Sequence, residues 1–161
     1  MTGKSGGPTR TTGASVPDLQ MTPEVFDAMM RHALWDAPLE CCGLLSGRAG
    51  RAWQIYPLAN ASRSETRYDA DPKALIEAVQ EIRRESTEIV AIYHSHPKWP
   101  AVPSKTDLRE NHYGEVPRII VGLLPSPPEC RVWRLFREEE RFEELNWCVK
   151  DEVEADTGSP T

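Results

Sequence analysis

No stretch of this chain comes near the roughly 20 apolar residues of a membrane-spanning helix. The first 20 residues are rich in Gly, Ser, Thr and Pro and hold no apolar run of the kind a secretory signal carries. A membrane partner is not expected, and the reading is of a cytoplasmic protein. Cysteine is sparse and badly placed for bridging. The four are Cys41, Cys42, Cys130 and Cys148; two are adjacent, and no C-x-x-C pair exists. That argues against a disulfide framework and suits a reducing compartment. Basic charge is also in short supply: 19 Lys and Arg face 25 Asp and Glu, for a net charge of −6. Nonspecific nucleic-acid binding needs cations that displace counterions, so nucleic acid is not an expected partner. No internal repeat is present, and nothing in the composition fixes the oligomeric state, which leaves a homodimer open.

What is there reads as one ordinary domain. The 161 residues, 39% hydrophobic and 27% charged, are enough for a single core. Residues 1–20 and 152–161 read as disordered tails around a domain at 21–151. Thr22 caps a first helix and Pro23 suits its first turn. Val25, Phe26, Met29, Met30, Ala33 and Leu34 lie on one face of it, and Pro38 ends it. Residues 41–47 and 51–58 read as a hairpin. Asp71 and Pro72 open a second helix. Residues 88–96, 118–124, 131–137 and 142–150 read as strands, with a short helix from Ser104 to about Tyr113. The order predicts an α+β, mixed α/β sandwich with a central, mostly antiparallel sheet flanked by helices.

The informative residues sit at the end of the 88–96 strand. His94 and His96 are two apart, so both imidazoles project from one face, about 6.5–7 Å apart along the backbone. Ser95 faces the other way. A loop stiffened by Pro97, Pro100 and Pro103 then leads to Ser104 and Asp107. Two histidines and one carboxylate can hold zinc and leave a fourth position open, the layout of a catalytic rather than a structural site. Hydrolysis also needs a carboxylate near the metal to take a proton from water. Glu40, just before the apolar run at 41–47, is the best-placed candidate. Bland alternatives are surface histidines and a solvated Glu40. Ser104 is also a candidate helix cap, and Cys41 and Cys42 read as small core residues. His112 reads as a surface residue, and His32, on the polar side of the first helix, is given no role. Trp99 either packs the proline loop or lines a substrate channel.

The pattern Glu40…His94-Ser95-His96-x7-Ser104-x2-Asp107 resembles the signature of the JAMM (MPN-plus) zinc metalloprotease family, with no departure. PLECCGLLSG, IYHSHP and VPSKTD resemble the segments around that signature, and NASRSETRYDADP resembles the connection before the second helix in bacterial and archaeal members. The likeness covers roughly residues 20–150. It implies the JAMM/MPN, cytidine-deaminase-like fold. It also implies one Zn2+ per chain on His94, His96 and Asp107, with Glu40 as general base and then acid. Ser104 would donate to the oxyanion, and Ser95 would support the ligands from behind. The implied activity is hydrolysis, as a peptidase or isopeptidase, after the C-terminal glycine of a ubiquitin-like or sulfur-carrier protein. Other readings are a non-catalytic scaffold, or an amidohydrolase of a small amino-acid conjugate. A protein tail would call for an exposed strand edge near the site, to which it could add as a strand. A closed pocket would favour a small molecule.

Overall fold

The computed structural model describes residues 16–151. Two helices and eight strands, with one short helical turn, alternate in the order β1 (Leu19–Met21), α1 (Pro23–Asp36), β2 (Cys42–Arg48), β3 (Arg51–Leu58), α2 (Pro72–Arg84), β4 (Glu88–His96), α3 (Lys105–Arg109), β5 (Arg118–Gly122), β6 (Glu129–Phe136), β7 (Arg141–Leu145) and β8 (Trp147–Val149). The strands form one mixed sheet in the order β7-β6-β5-β4-β2-β3-β1-β8. Pairs β7–β6, β6–β5, β4–β2 and β2–β3 are antiparallel, and β5–β4, β3–β1 and β1–β8 are parallel. The expected mixed, mostly antiparallel sheet with flanking helices is what forms.

Local chemistry sets the helix starts. The Thr22 hydroxyl accepts from the Val25 N–H, and the Asp71 carboxylate accepts from the Ala74 N–H, each followed by a proline that needs no partner for its missing donor. α1 buries Val25, Met29 and Ala33. Leu34, expected on that face, is instead 54% exposed. It lies one residue past Ala33, so the 3.6-residue period carries it off the stripe. His32 also departs from expectation. Its Nδ1 meets the Tyr93 hydroxyl at 2.7 Å and its Nε2 meets Asp36 at 3.1 Å, which ties α1 to the middle of the sheet.

Side-chain alternation divides the core between the two faces of the sheet. Cys41, Leu45, Ala91, Tyr93, Ile119 and Val121 pack with α1. Cys42, Leu44 and Ile92 pack with Ala78 and Ile82 of α2. Gly43 pairs with Tyr93 across β2 and β4. A Cβ at Gly43 would lie 2.3 Å from the Tyr93 ring, so only hydrogen fits beside that fixed phenol.

Two elements differ from the sequence reading. The 142–150 segment is two strands rather than one. At Asn146 the chain changes partner: the Leu19 N–H donates to the Asn146 carbonyl, and the Asp18 carboxylate accepts from the Asn146 N–H. β7 thus ends on β6 while β8 pairs with β1, so the sheet curls until its two edge strands join through one residue. The second difference is β1. Leu19 and Gln20, assigned to a disordered tail, are ordered strand. Leu19 is fully buried and paired with Trp147. Residues 16–18 of that tail lead into β1, and residues 1–15 and 152–161 lie outside the described residues.

Candidate metal centre and active site

β4 is central, hydrogen-bonded to β2 on one side and to β5 on the other. His94 therefore lies between Cys42 and Ile120, and His96 lies beside Gly122. A Cβ at Gly122 would approach the Ala101 N to 3.2 Å, so its absence lets the 97–103 loop settle over the strand end. Both imidazoles project to the α2 side, as the alternation requires, and both are buried. Their Nε2 atoms are 3.1 Å apart.

Asp107 comes in from α3. Ser104 and Asp107 form a reciprocal cap: the Ser104 hydroxyl accepts from the Asp107 N–H, and the Asp107 Oδ2 accepts from the Ser104 N–H at 2.9 Å. The same carboxylate then faces the histidines, with Oδ1 3.1 Å from His94 Nε2 and Oδ2 3.2 Å from His96 Nε2. A tetrahedral zinc ion with ligands at about 2.0–2.1 Å has ligand atoms about 3.3–3.4 Å from one another. The three side chains sit within a few tenths of an ångström of that spacing.

The tautomers agree with this. A carbonyl can only accept, so the 2.8 Å contact between His96 Nδ1 and the Pro100 carbonyl is an N–H donation. In neutral His96 the Nε2 lone pair then points to the cluster. Burial lowers the His94 pKa against the pull of Asp107 and keeps the ring in its neutral, ligating form. Its face stacks on Tyr68 at 4.6 Å, while its Nδ1 has no partner among the described residues. Burial alone would raise the Asp107 pKa. The imidazoles of His94 and His96 that face it and the Ser104 N–H outweigh it and hold the carboxyl well below the usual range.

Glu40 completes the group. Its side chain is 2% exposed, and its Oε2 has no partner among the described residues. Ligand atoms of Glu40, His94 and His96 lie within 4.8 Å of one another. Burial, partly opposed by His96, pushes its carboxyl up to about 8. A carboxyl poised near neutrality can both take and return a proton. An orphaned buried carboxylate beside two converging imidazoles is a donor set that suits a divalent cation with an open position.

A model of prokaryotic homologues of the JAB domain matches residues 22–136. The chain belongs to this JAB/MPN (JAMM) family. It is 45% identical over 92 residues to a probable TtuB-protein conjugate cleaving protease of Thermus thermophilus, a stretch covering 56% of this chain and 61% of that protein's length. It is 36% identical over 120 residues to the CysO-cysteine peptidase of Mycobacterium tuberculosis, covering 73% and 82% of the two chains. A Desulfitobacterium hafniense protein solved in solution superposes with a TM-score of 0.75 at 30% identity, covering 84% of this chain and 95% of that one. A JAB1/MPN domain protein from Archaeoglobus fulgidus superposes at 0.54 and 18% identity, a likeness of fold, covering 84% and 99%.

Within this JAB domain, the remaining candidate residues take definite places. Ser95 is fully buried on the opposite face, where its hydroxyl accepts from the Cys41 N–H at 2.8 Å. It thereby fixes the backbone next to Glu40. Ser95→Ala leaves that buried N–H without a partner. The expected result is a loss of about 1–3 kcal/mol of stability, read from urea unfolding, together with lower turnover. Trp99 is 56% exposed and lines a cavity of about 290 Å3 with His96, Ser104 and Thr66. The Ser104 hydroxyl accepts within its cap, which leaves its O–H free to donate outward. His112 is exposed, and its Nδ1 lies 3.4 Å from Arg137. Cys41 and Cys42 are free and buried, and burial pushes both thiols up to about 12, so they are inert core groups.

The expected strand edge beside the site is not found in the sheet. β4 has neighbours on both sides, and the sheet's edges are β7 and β8. The 59–71 connection flanks the site instead. Asn60 organises it: its Nδ2 donates to the carbonyls of Glu40 and Arg67, and its Oδ1 accepts from the N–H of Ser62 and Asp69. Asn60, Tyr68 and Arg118 were not singled out from sequence. Arg118 shares the strand phase of Ile120, but its charge at the start of the strand masks that phase in the sequence.

Proposed function

We propose that this chain hydrolyses the bond after the C-terminal glycine of a ubiquitin-like or sulfur-carrier protein, with one zinc ion held by His94, His96 and Asp107. The observation that carries the reading is the convergence of those three side chains at 3.1–3.2 Å beside the unpartnered carboxylate of Glu40. The activities for which the relatives are named, cleaving TtuB conjugates or CysO-cysteine, support the substrate class. When bound, zinc supplies Lewis acidity at the attacked carbonyl and lowers the cost of deprotonating water.

The protein's own groups do the rest. Glu40 takes a proton from the attacking water, whose oxygen bonds to the glycine carbonyl carbon. The Ser104 O–H donates to the carbonyl oxygen as negative charge builds there. Glu40 then passes the proton to the amide nitrogen as the C–N bond breaks, releasing a carboxylate and an amine. The tail runs through the cavity lined by Trp99, whose exposed ring flanks the glycines.

The test uses the purified full chain. One zinc per chain is expected by elemental analysis, together with cleavage of a Gly-Gly-ended carrier fusion at the glycine, read by product mass. Protein that holds no stoichiometric zinc and cuts no such fusion would leave the non-catalytic scaffold reading in its place.

A further inference from the structure

A second cavity, of about 400 Å3, shares Thr106 with the Trp99 cavity and has Asp107 in its lining. Tyr68, whose ring covers His94, forms part of its wall. Its charged floor is Arg118, which is 3% exposed. The guanidinium donates from Nη1 to the Tyr68 hydroxyl and from Nη2 to the Asn111 side-chain oxygen, both at 2.7 Å. The Tyr68 partner is a phenol, neutral with its ordinary pKa of about 10. The Arg118 Nε has no partner, and no carboxylate among the described residues ion-pairs with the group. Two of five N–H donors are therefore spent, both on neutral oxygens. Of the other acids on this wall, Glu110 is engaged by Arg67 at 3.4 Å and Asp69 is solvent-exposed.

The guanidinium also lies 5.6 Å from the Tyr113 ring centre, so its direct contacts are to neutral groups, and a buried cation so placed is costly unless something anionic joins it. The rest of the cavity says what that anion is attached to. Leu44, Leu58, Leu75 and Ile92 form an apolar wall, and Asp107 marks the end next to the metal centre. The space suits one residue and is far too small for a folded protein. Resting on the hydrolytic reading above, we propose that this cavity receives the leaving group as a single amino acid, its α-carboxylate on Arg118 and its aliphatic side chain on the leucine wall. The substrate class is then a carrier whose C-terminal glycine is joined to the amine of one free amino acid. An isopeptide to a lysine side chain within a protein offers no carboxylate at that position.

The zinc-loaded full chain is given two carriers, each extended beyond Gly-Gly by one leucine, ending in a free acid or in a carboxamide. The expected result is a kcat/KM at least about tenfold higher for the acid, carried by KM, with the preference lost in Arg118→Lys and Arg118→Gln. Equal cleavage of acid and amide by the wild type overturns the proposal while leaving the hydrolase reading intact, and needs no variant to fold. If neither is cut, the hydrolase reading has failed on its own. Free leucine and leucinamide are then titrated into the wild type by NMR. Leucine-selective shifts at Tyr68 and Tyr113 support the cavity, and equal or absent shifts overturn it.

Discussion

Glu40→Gln is expected to keep the fold and its zinc and to lose turnover by roughly 10²–10⁴-fold, the range that general acid–base groups contribute. The argument rests on shape and charge together. Glutamine matches the buried side chain in size, so the clamp on its backbone, from the Asn60 amide to the Glu40 carbonyl and from the Glu40 N–H to Ser64, has no reason to shift. What disappears is an oxygen able to accept a proton. Stability gives a second readout, with a sign that follows from the raised pKa. In the metal-free protein burial lifts the Glu40 carboxyl from 4.5 to about 8, so the folded state holds its proton more tightly than the unfolded chain does. Its contribution is full below about 4.5 and is lost as the pH rises through about 8. The glutamine variant has no such loss. Urea midpoints in chelator should therefore move in the variant's favour between pH 5 and pH 8. Wild-type turnover in Glu40→Gln would end its assignment as base.

The contrast between what could and could not be read from sequence follows the range of the interactions. The caps at Thr22 and Asp71 act across three residues, and so does the Ser104–Asp107 box, so a linear pattern reveals them. The histidine pair is legible for the same reason, because strand geometry alone turns both rings to one side. β1 and β8 are three residues each and pair with one another across most of the chain, between Leu19 and Trp147. No local signal marks a strand whose partner is that distant. Arg118 failed for a different reason. A charge opening an apolar run reads as the solvated end of a strand, and only the tertiary placement of Tyr68 and Asn111 makes it buried. Glu40 is intermediate: its position before an apolar run was visible, but its approach to His94 and His96 depends on Ser95 and Asn60 holding its neighbours.

Asp107 carries the test of which carboxylate binds the metal, because two sets are close enough to compete. His94 and His96 belong to both, joined by Asp107 at 3.1–3.2 Å or by Glu40 within 4.8 Å. The 3.1–3.2 Å spacings, close to those of a tetrahedral zinc site, favour Asp107, and so does its ionisation. Its carboxyl is held well below the usual range, while Glu40 is pushed up to about 8 and would have to give up a proton to ligate at neutral pH. Asp107→Asn keeps an oxygen to accept from the Ser104 N–H, so the α3 cap survives. It removes the anionic ligand. Zinc affinity should fall by more than the roughly 10–100-fold that outer-shell partners cost, and turnover should fall with it. Asp107→Ala should lose the metal equally and, in addition, about 1 kcal/mol from the broken cap. The pair of variants separates ligand from cap: the metal loss is common to both, and the stability loss belongs to alanine. Asparagine at this position with wild-type zinc affinity would assign the metal to Glu40 instead. A Glu40→Gln variant that sheds zinc would say the same from the other side, since a residue that takes the water's proton cannot also be spending its oxygen on the ion.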